Sequence, residues 1–172
     1  MISNETDPVE PIETPHGTLR TRPEVVADAT FLFTLHASVK AAEFAMMPVA
    51  EPILRQLLDM QFRAMTMSYR TAFPAGRFQL ITLNDAPIGR LITDSGPVRF
   101  HIVYIALLPE WRQRQISTIL MTQVLEEPRR RGARCETTVA LDNLASQRLW
   151  FRLGFTERER DGANLVLEWR PA

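Results

Sequence analysis

Phe100-His101-Ile102-Val103-Tyr104-Ile105-Ala106-Leu107-Leu108-Pro109-Glu110-Trp111-Arg112-Gln113-Arg114-Gln115-Ile116-Ser117-Thr118 is the stretch that decides the fold. Its first eight residues are nearly all aromatic, branched or apolar. That composition predicts a central strand covered on both faces. Strict alternation along it places His101 on one face with Val103, Ile105 and Leu107, and Tyr104 on the other. Beyond Pro109 the period changes: Ile116, Ile119, Leu120, Val124 and Leu125 recur at helical spacing. A helix start offers free backbone N–H groups and the positive end of a dipole, which together bind phosphate. Arg112, Arg114, Ser117 and Thr118 strengthen that reading. An ordinary helix start with solvated arginines explains the same residues equally well.

Outward from this stretch the chain reads as alternating strands and helices. Upstream, Thr18 to Arg22 predicts a first strand, and Pro23 suits the first turn of a helix. Val25, Ala29, Leu32, Phe33, Leu35, His36 and Val39 carry that helix toward Met47-Pro48. A second helix is expected from Glu51-Pro52 to Ala72, with Ile53, Leu57, Leu58, Phe62 and Met65 as its apolar stripe. Arg77 to Leu83 and Ile88 to Thr93 predict a hairpin around Asn84-Asp85-Ala86-Pro87. Downstream, Pro128 should disturb the end of the central helix. Ala133 to Ala140 predicts a strand, and Asn143 to Leu153 a short helix closing at Gly154. Phe155 to Glu159 and Leu165 to Trp169 form a last hairpin. Residues 1–17 hold four acidic residues and three prolines without Lys or Arg, which predicts a disordered tail before a domain spanning 18–172.

Composition excludes several classes. Twenty basic and twenty acidic residues give a net charge of zero in 172 residues, so neither nucleic acid nor an anionic membrane is an expected partner. No apolar run approaches the roughly 18 residues of a membrane span. A single cysteine, Cys135, excludes an intrachain disulfide framework, and with no signal pattern it favours a cytoplasmic setting. The three histidines, His16, His36 and His101, are scattered, so no metal site is expected.

Two segments together resemble the GNAT superfamily of N-acyltransferases. Ile105 to Arg112 resembles that family's central strand and the turn after it. Arg112-Gln113-Arg114-Gln115-Ile116-Ser117 resembles its pyrophosphate loop, commonly Arg/Gln-x-x-Gly-x-Gly/Ala. Asn143-x-x-Ser146-x-x-Leu149-Trp150-x-x-Leu153-Gly154-Phe155 resembles its second signature, Asn-x-x-Ala/Ser-x-x-Leu-Tyr-x-x-Leu-Gly-Phe. The two occur in the family's order, with one helix and one strand between them, and the resemblance runs from Thr18 to Arg170. It implies an α/β fold: a mixed, mostly antiparallel sheet of six or seven strands with helices on both faces. It also implies acetyl-CoA as co-substrate, an acetyl group moved to an amine of a small molecule or peptide by direct attack, and a possible homodimer. Pantetheine would pair with backbone near Ile105 to Leu107, in a gap where the central strand and the strand at Ala133–Ala140 splay apart. Pyrophosphate would sit on the amides from Gln113 through Gln115 and Ile116 to Ser117 and Thr118, with Arg112 and Arg114 beside it. Asn143, with Ser146 in the same signature, would face the pantetheine arm.

The chain departs from the pattern at four places, the mildest being Ser117 at the loop's Gly/Ala position, a small change that adds a hydroxyl donor. Gln115 stands where the loop has glycine, and Gln113 where glycine is frequent. Gln115 can present its amide at negative φ, as in a first helical turn, but its side chain crowds the phosphate. Trp150 stands where the family has a tyrosine that protonates the leaving thiolate. An indole N–H donates a hydrogen bond but is no acid; the competing reading is a packing residue. His101 is the candidate base for the acceptor amine, against a partly buried strand histidine satisfied by a neighbour. These departures keep a non-catalytic acyl-CoA-binding or regulatory module, or a scaffold that binds no CoA, in contention.

Other residues have simpler readings. Glu43 and His36 can line an acceptor pocket but fit the core edge or surface better. Arg129-Arg130-Arg131 fit a helix C-terminus better than a phosphate contact. Met46, Met47, Met60, Met65 and Met67 fit core filling better than an adaptable surface.

Overall fold

The computed structural model describes residues 10–46 and 48–171. Eight strands make one sheet in the order β1-β2-β3-β4-β5-β6-β8-β7: β1 Ile12–Thr14, β2 Gly17–Pro23, β3 Arg77–Leu83, β4 Ala86–Ser95, β5 Arg99–Leu107, β6 Arg134–Ala140, β7 Thr156–Asp161 and β8 Asn164–Trp169. The helices are α1 Ala29–Phe44, α2 Glu51–Ala72, α3 Ile116–Val124, α4 Glu126–Arg130 and α5 Leu144–Arg152. Every strand pairing is antiparallel except β5 with β6. The mixed α/β class is as expected, with one strand more. That strand, β1, corrects the boundary of the expected tail: Ile12, Glu13 and Thr14 pair with Leu19, Thr18 and Gly17. Composition missed it because a three-residue edge strand needs almost no apolar content. Residues 1–9 of the expected tail, and Met47, lie outside the described residues.

Local chemistry explains most boundaries. Asn84 and Asp85 both have positive φ, 49° and 66°, so the β3–β4 hairpin closes in two residues rather than the four expected, a turn for which Asn and Asp are well suited. Pro128 disturbs the end of α3 as expected, since it has no amide hydrogen to offer Val124, where that helix stops. It occupies the first turn of the separate short helix α4, where no amide hydrogen is required, and Gly132 at φ 60° closes that helix.

The core divides between the two faces of the sheet. On one face Phe100, Ile102 and Leu107 of β5 join Ile116, Leu120, Met121 and Val124 of α3, Trp150 of α5, and Leu165 and Leu167 of β8. On the other, Leu32, Leu35 and Phe44 of α1 are buried, and α1 packs against β4 and β5. That second face also holds a buried ion pair. Arg90 on β4, 2% exposed, donates from Nε to Glu24 Oε1 at 2.5 Å and from Nη2 to Oε2 at 3.1 Å. By contrast α2 has no buried residue at all. Met46, Met60 and Met67 are 86%, 60% and 70% exposed, so the core-filling reading fails for them.

The β4–β5 pairing carries two irregularities. One is a bulge in β5: Ile92 pairs with Tyr104 and Thr93 with Ile102, leaving Val103 as the extra residue. The other is the tight approach at Gly89, where an added Cβ would lie 2.4 Å from the Ala106 carbonyl oxygen and 2.6 Å from Leu107 Cδ2. Backbone cannot yield as a side-chain tip can. Gly89→Ala is therefore expected to destabilise the fold by about 1–3 kcal/mol, read as a lower midpoint in urea unfolding; an unchanged midpoint would show that the two strands can part locally.

Candidate functional site

The site begins where the sheet stops being continuous. β5 and β6 pair in parallel only from Arg99–Arg134 to Ile102–Thr137. Past that point β5 continues to Leu107 and β6 to Ala140 without pairing each other. A last bond, from Thr137 Oγ1 to the Ile102 carbonyl at 2.9 Å, marks the fork. Beyond it β5 pairs with β4 alone, so one edge from Val103 onward offers unpaired backbone groups within the domain. Buried or half-buried backbone seeks partners, and an extended chain is what such an edge accepts. Ile105 lies on this edge. At its far end the Leu107 carbonyl already accepts from Arg112 Nε at 2.9 Å.

The bulge at Val103 corrects the expected alternation. Phe100 and Ile102 before it, and Ile105 and Leu107 after it, all face the α3 side of the sheet. His101 and Tyr104 share the opposite face. His101 meets the Phe73 ring edge-on at 5.3 Å, and Tyr104 meets Tyr69 at 5.9 Å. Phe73 and Tyr69 are four residues apart at the end of α2, so one helix face receives both. One extra strand residue inverts the parity of everything after it. No composition signal in Phe100–Leu107 announces it.

The loop between β5 and α3 holds the second element. Gln113 and Gln115 both adopt left-handed backbone, φ 59° and 62°. This overturns the expected negative φ at Gln115. The chain keeps the glycine conformation with glutamine in place, at a cost of about 1–2 kcal/mol per residue. Left-handed residues alternating with right-handed ones turn successive N–H groups inward as an anion-binding concavity. α3 starts directly after Gln115, and its first internal bond is from Ile119 N to the Gln115 carbonyl at 2.9 Å. The amides of Ile116, Ser117 and Thr118 are thus left without helical partners.

The two arginines brace this loop rather than reach from it. Arg112 holds the Leu107 carbonyl. Arg114 Nε donates to the Glu110 carbonyl at 2.8 Å, and its guanidinium lies 5.4 Å from the Trp111 ring centroid. Arg129 and Arg131 are also committed elsewhere: Arg129 pairs with Glu126 and covers Trp169, and Arg131 Nη2 donates to the Gly96 carbonyl at 2.6 Å.

The α5 signature is largely structural. Asn143 caps α5, its Oδ1 accepting from Ser146 N at 3.1 Å. Trp150 is 2% exposed and packs edge-to-face on Phe155 at 5.1 Å. Its Nε1 donates to Ser146 Oγ at 3.1 Å. With its ring in the core and its one donor engaged, the packing reading describes Trp150, and the expected contact to a thiolate does not. Ser146 serves the same internal bond. Cys135 is fully buried, and burial first, then nearby Glu136, raises its thiol far above the ordinary range.

On the α1–α2 face, burial lowers the pKa of His101; Arg99 adds to this, and Glu136 and Asp94 oppose it. Its Nδ1 is buried without a hydrogen-bond partner among the described residues. Glu136, its neighbour on β6, is taken by Arg99, Arg134 and Arg158. Tyr104 is pushed up to about 12, chiefly by burial and then by Tyr69. Glu43 is exposed and paired with Lys40, while His36 is buried. Sequence reading passed over Arg90 and Glu24. The available signal was a lone charge inside the apolar run Ile88-Gly89-Arg90-Leu91-Ile92.

A forked sheet, a bulged central strand and a helix start with free amides are the features that this fold brings together. Residues 47–155 match the Acetyltransferase (GNAT) family, and the chain belongs to that family. Among solved structures it resembles the PaiA N-acetyltransferase of Thermoplasma acidophilum in complex with coenzyme A (TM-score 0.68, 14% identity, 88% of this chain and 98% of that one). It also resembles Mycobacterium smegmatis RimJ in complex with CoA-disulfide (0.62, 17%, 95% and 89%), and the ribosomal L7/L12 alpha-N-protein acetyltransferase RimL (0.63, 16%, 92% and 91%). No curated protein matches the chain significantly.

Acetyl-CoA is the family's co-substrate, and the residues here fit it: an open strand edge for an extended amide-bearing arm, and a strained amide concavity for a pyrophosphate. Among the described residues no cluster of His, Cys, Asp or Glu is arranged to hold a metal ion, and no helix is long and apolar enough to cross a membrane.

The left-handed glutamines make a direct test. Gln115→Gly is expected to leave stability equal or raise it by up to about 1 kcal/mol, with CoA affinity equal or tighter by calorimetric titration. Gln115→Val, which resists positive φ, should weaken CoA binding at least about tenfold. Equal affinities across the three proteins would remove the loop backbone from the site.

Proposed function

We propose that the protein is an N-acetyltransferase that moves the acetyl group of acetyl-CoA to the amine of a small molecule or peptide by direct attack. The observation that carries this reading is the pair of left-handed glutamines ahead of α3. Backbone strain of this kind persists where a site requires it, and here it sits at the helix start beside the open edge of β5. Gln113, Gln115, Ile116, Ser117 and Thr118 would hold pyrophosphate through backbone amides, with Arg112 and Arg114 bracing the loop. The edge from Val103 through Ile105 would take the pantetheine arm, and Asn143 would reach it with the amide nitrogen left over from capping α5. CoA supplies an activated thioester.

The chain's own contribution is position and a proton acceptor. His101 lies on the face opposite the α3 core, next to the bulge. Burial keeps its imidazole neutral near pH 7, the state that can accept a proton from the attacking ammonium or its water. As nitrogen bonds to the acetyl carbon, the carbon–sulfur bond breaks, the amine proton passes to His101, and CoA leaves as thiolate. With Trp150 in the core, no side chain of α5 is assigned as acid. That same burial favours a second reading, a module that binds acyl-CoA without turnover. The single, buried cysteine accords with a cytoplasmic setting; a homodimer is an additional expectation of the family.

Calorimetric titration with acetyl-CoA comes first. Saturable one-to-one binding supports both readings, and thiol release in the presence of amines supports the enzyme alone. If His101 is the base, kcat/KM should rise with pH along an acid limb centred below 6.5, because the depressed group sheds its proton earlier than an ordinary histidine. His101→Gln should lower turnover by about 10²–10⁴-fold and flatten that limb, with CoA affinity held. An acid limb retained in the variant would transfer the role to another group.

A further inference from the structure

Six side-chain nitrogen or oxygen atoms are buried without a hydrogen-bond partner among the described residues. Five belong to the elements on one face of the sheet: His36 Nε2 on α1, Gln61 Oε1 and Thr66 Oγ1 on α2, Arg90 Nη1 on β4 and His101 Nδ1 on β5; the sixth is Glu168 Oε2. Buried polar atoms in folded proteins are nearly always satisfied, so unsatisfied ones on one face of the sheet are candidates for partners that a polar guest supplies. The helix above them is loosely seated: no residue of α2 is buried, although Phe62, Tyr69 and Phe73 of its inward face meet His36, Tyr104 and His101.

Arg90 gives the guest a charge. It is 2% exposed, and Glu24 fixes its orientation through Nε and Nη2, leaving Nη1 as the free donor. Arg70 also reaches Glu24, at 3.3 Å, but from a half-exposed position, so the buried pair itself is one cation and one anion. His36 adds no charge, since burial and then Lys40 and Arg90 push its pKa down. A charged group left with an unsatisfied buried donor is costly, and an anionic acceptor at Nη1 satisfies it with a charge-assisted bond.

We infer that Arg90 Nη1, beneath α2, anchors a carboxylate on the acceptor, so that the substrate is a small amine carrying its own carboxylate. This rests on the acetyltransferase reading above. Arg90 pairs with Ala106 across the ladder, and His101 lies further back on the same face of β5, about 13 Å away along the strand once the bulge is discounted. The amine then lies toward His101 and the open edge, the carboxylate toward Arg90. Nη1 is sealed from solvent in this conformation, which excludes a large folded acceptor at that point and makes α2 the element that yields.

The test compares α-, β- and γ-amino acids with their own carboxamides, first by calorimetry on the CoA-saturated protein and then by thiol release with acetyl-CoA. The carboxylate member of a pair should win by at least about tenfold in kcat/KM. In the double variant Glu24→Gln/Arg90→Gln, which leaves no lone buried charge, that preference should vanish while CoA affinity holds. Carboxamides equal to or better than the acids, absence of binding by every carboxylate-bearing amine, or a preference that survives in the double variant would each overturn the inference. The wild-type comparison decides by itself if the double variant does not fold. Failure to bind CoA would instead remove the acetyltransferase reading on which the inference stands.

Discussion

Everything in this molecule depends on the parallel ladder between β5 and β6 ending after four residue pairs. Up to Ile102 and Thr137 the sheet is continuous and its backbone groups satisfy one another. Beyond them the two strands are held apart, β5 by its long antiparallel pairing with β4 and β6 by its pairing with β8. A sheet fully zipped at this point would be more stable and would have no place for an extended ligand. The open edge leaves backbone donors and acceptors in a partly buried setting, where a partner is worth most.

Two further strains cluster around the fork. The bulge at Val103 rotates the central strand so that His101 and Tyr104 face α2, while Ile105 and Leu107 stay in the α3 core. The left-handed glutamines give the loop ahead of α3 two glycine-like turns of backbone. Each feature costs stability locally, and each is held by a surrounding that is itself well packed: α3 by its buried stripe, the loop by Arg112 and Arg114 bonding to carbonyls. The arginines that drew the eye in the sequence therefore act as struts. What the loop presents at its turn is backbone, held in the conformation that glycine favours although glutamine stands there.

The two sides of the sheet are built by different rules. The α3–α5 side holds the large apolar cluster, in which Trp150 finds its hydrogen bond inside its own helix. The α1–α2 side contains a buried ion pair, two histidines and several unpaired polar atoms beneath a helix with no buried residue. A core exists for stability and satisfies its polar groups; a surface prepared for a substrate leaves some of them open.

The sequence by itself determined the elements, because they follow from nearest-neighbour chemistry. Helical spacing placed α2 at Glu51–Ala72, apolar runs placed β3 and β5, and turn residues placed the hairpins. The motif around Arg112 to Thr118 and the one from Asn143 to Phe155 were legible because they are contiguous. The tertiary structure alone decided which groups meet. The bulge that puts His101 and Tyr104 on one face arises from matching β4 to β5, not from any residue at Val103. The engagement of Trp150 by Ser146 depends on how α5 settles on the core. Arg90 acquires its meaning from Glu24, 66 residues earlier, and no local pattern carries a contact at that separation. Periodicity records which way a side chain points along its own element; burial, charge pairing and strain are properties of the space between elements, and that space exists only once the chain has folded.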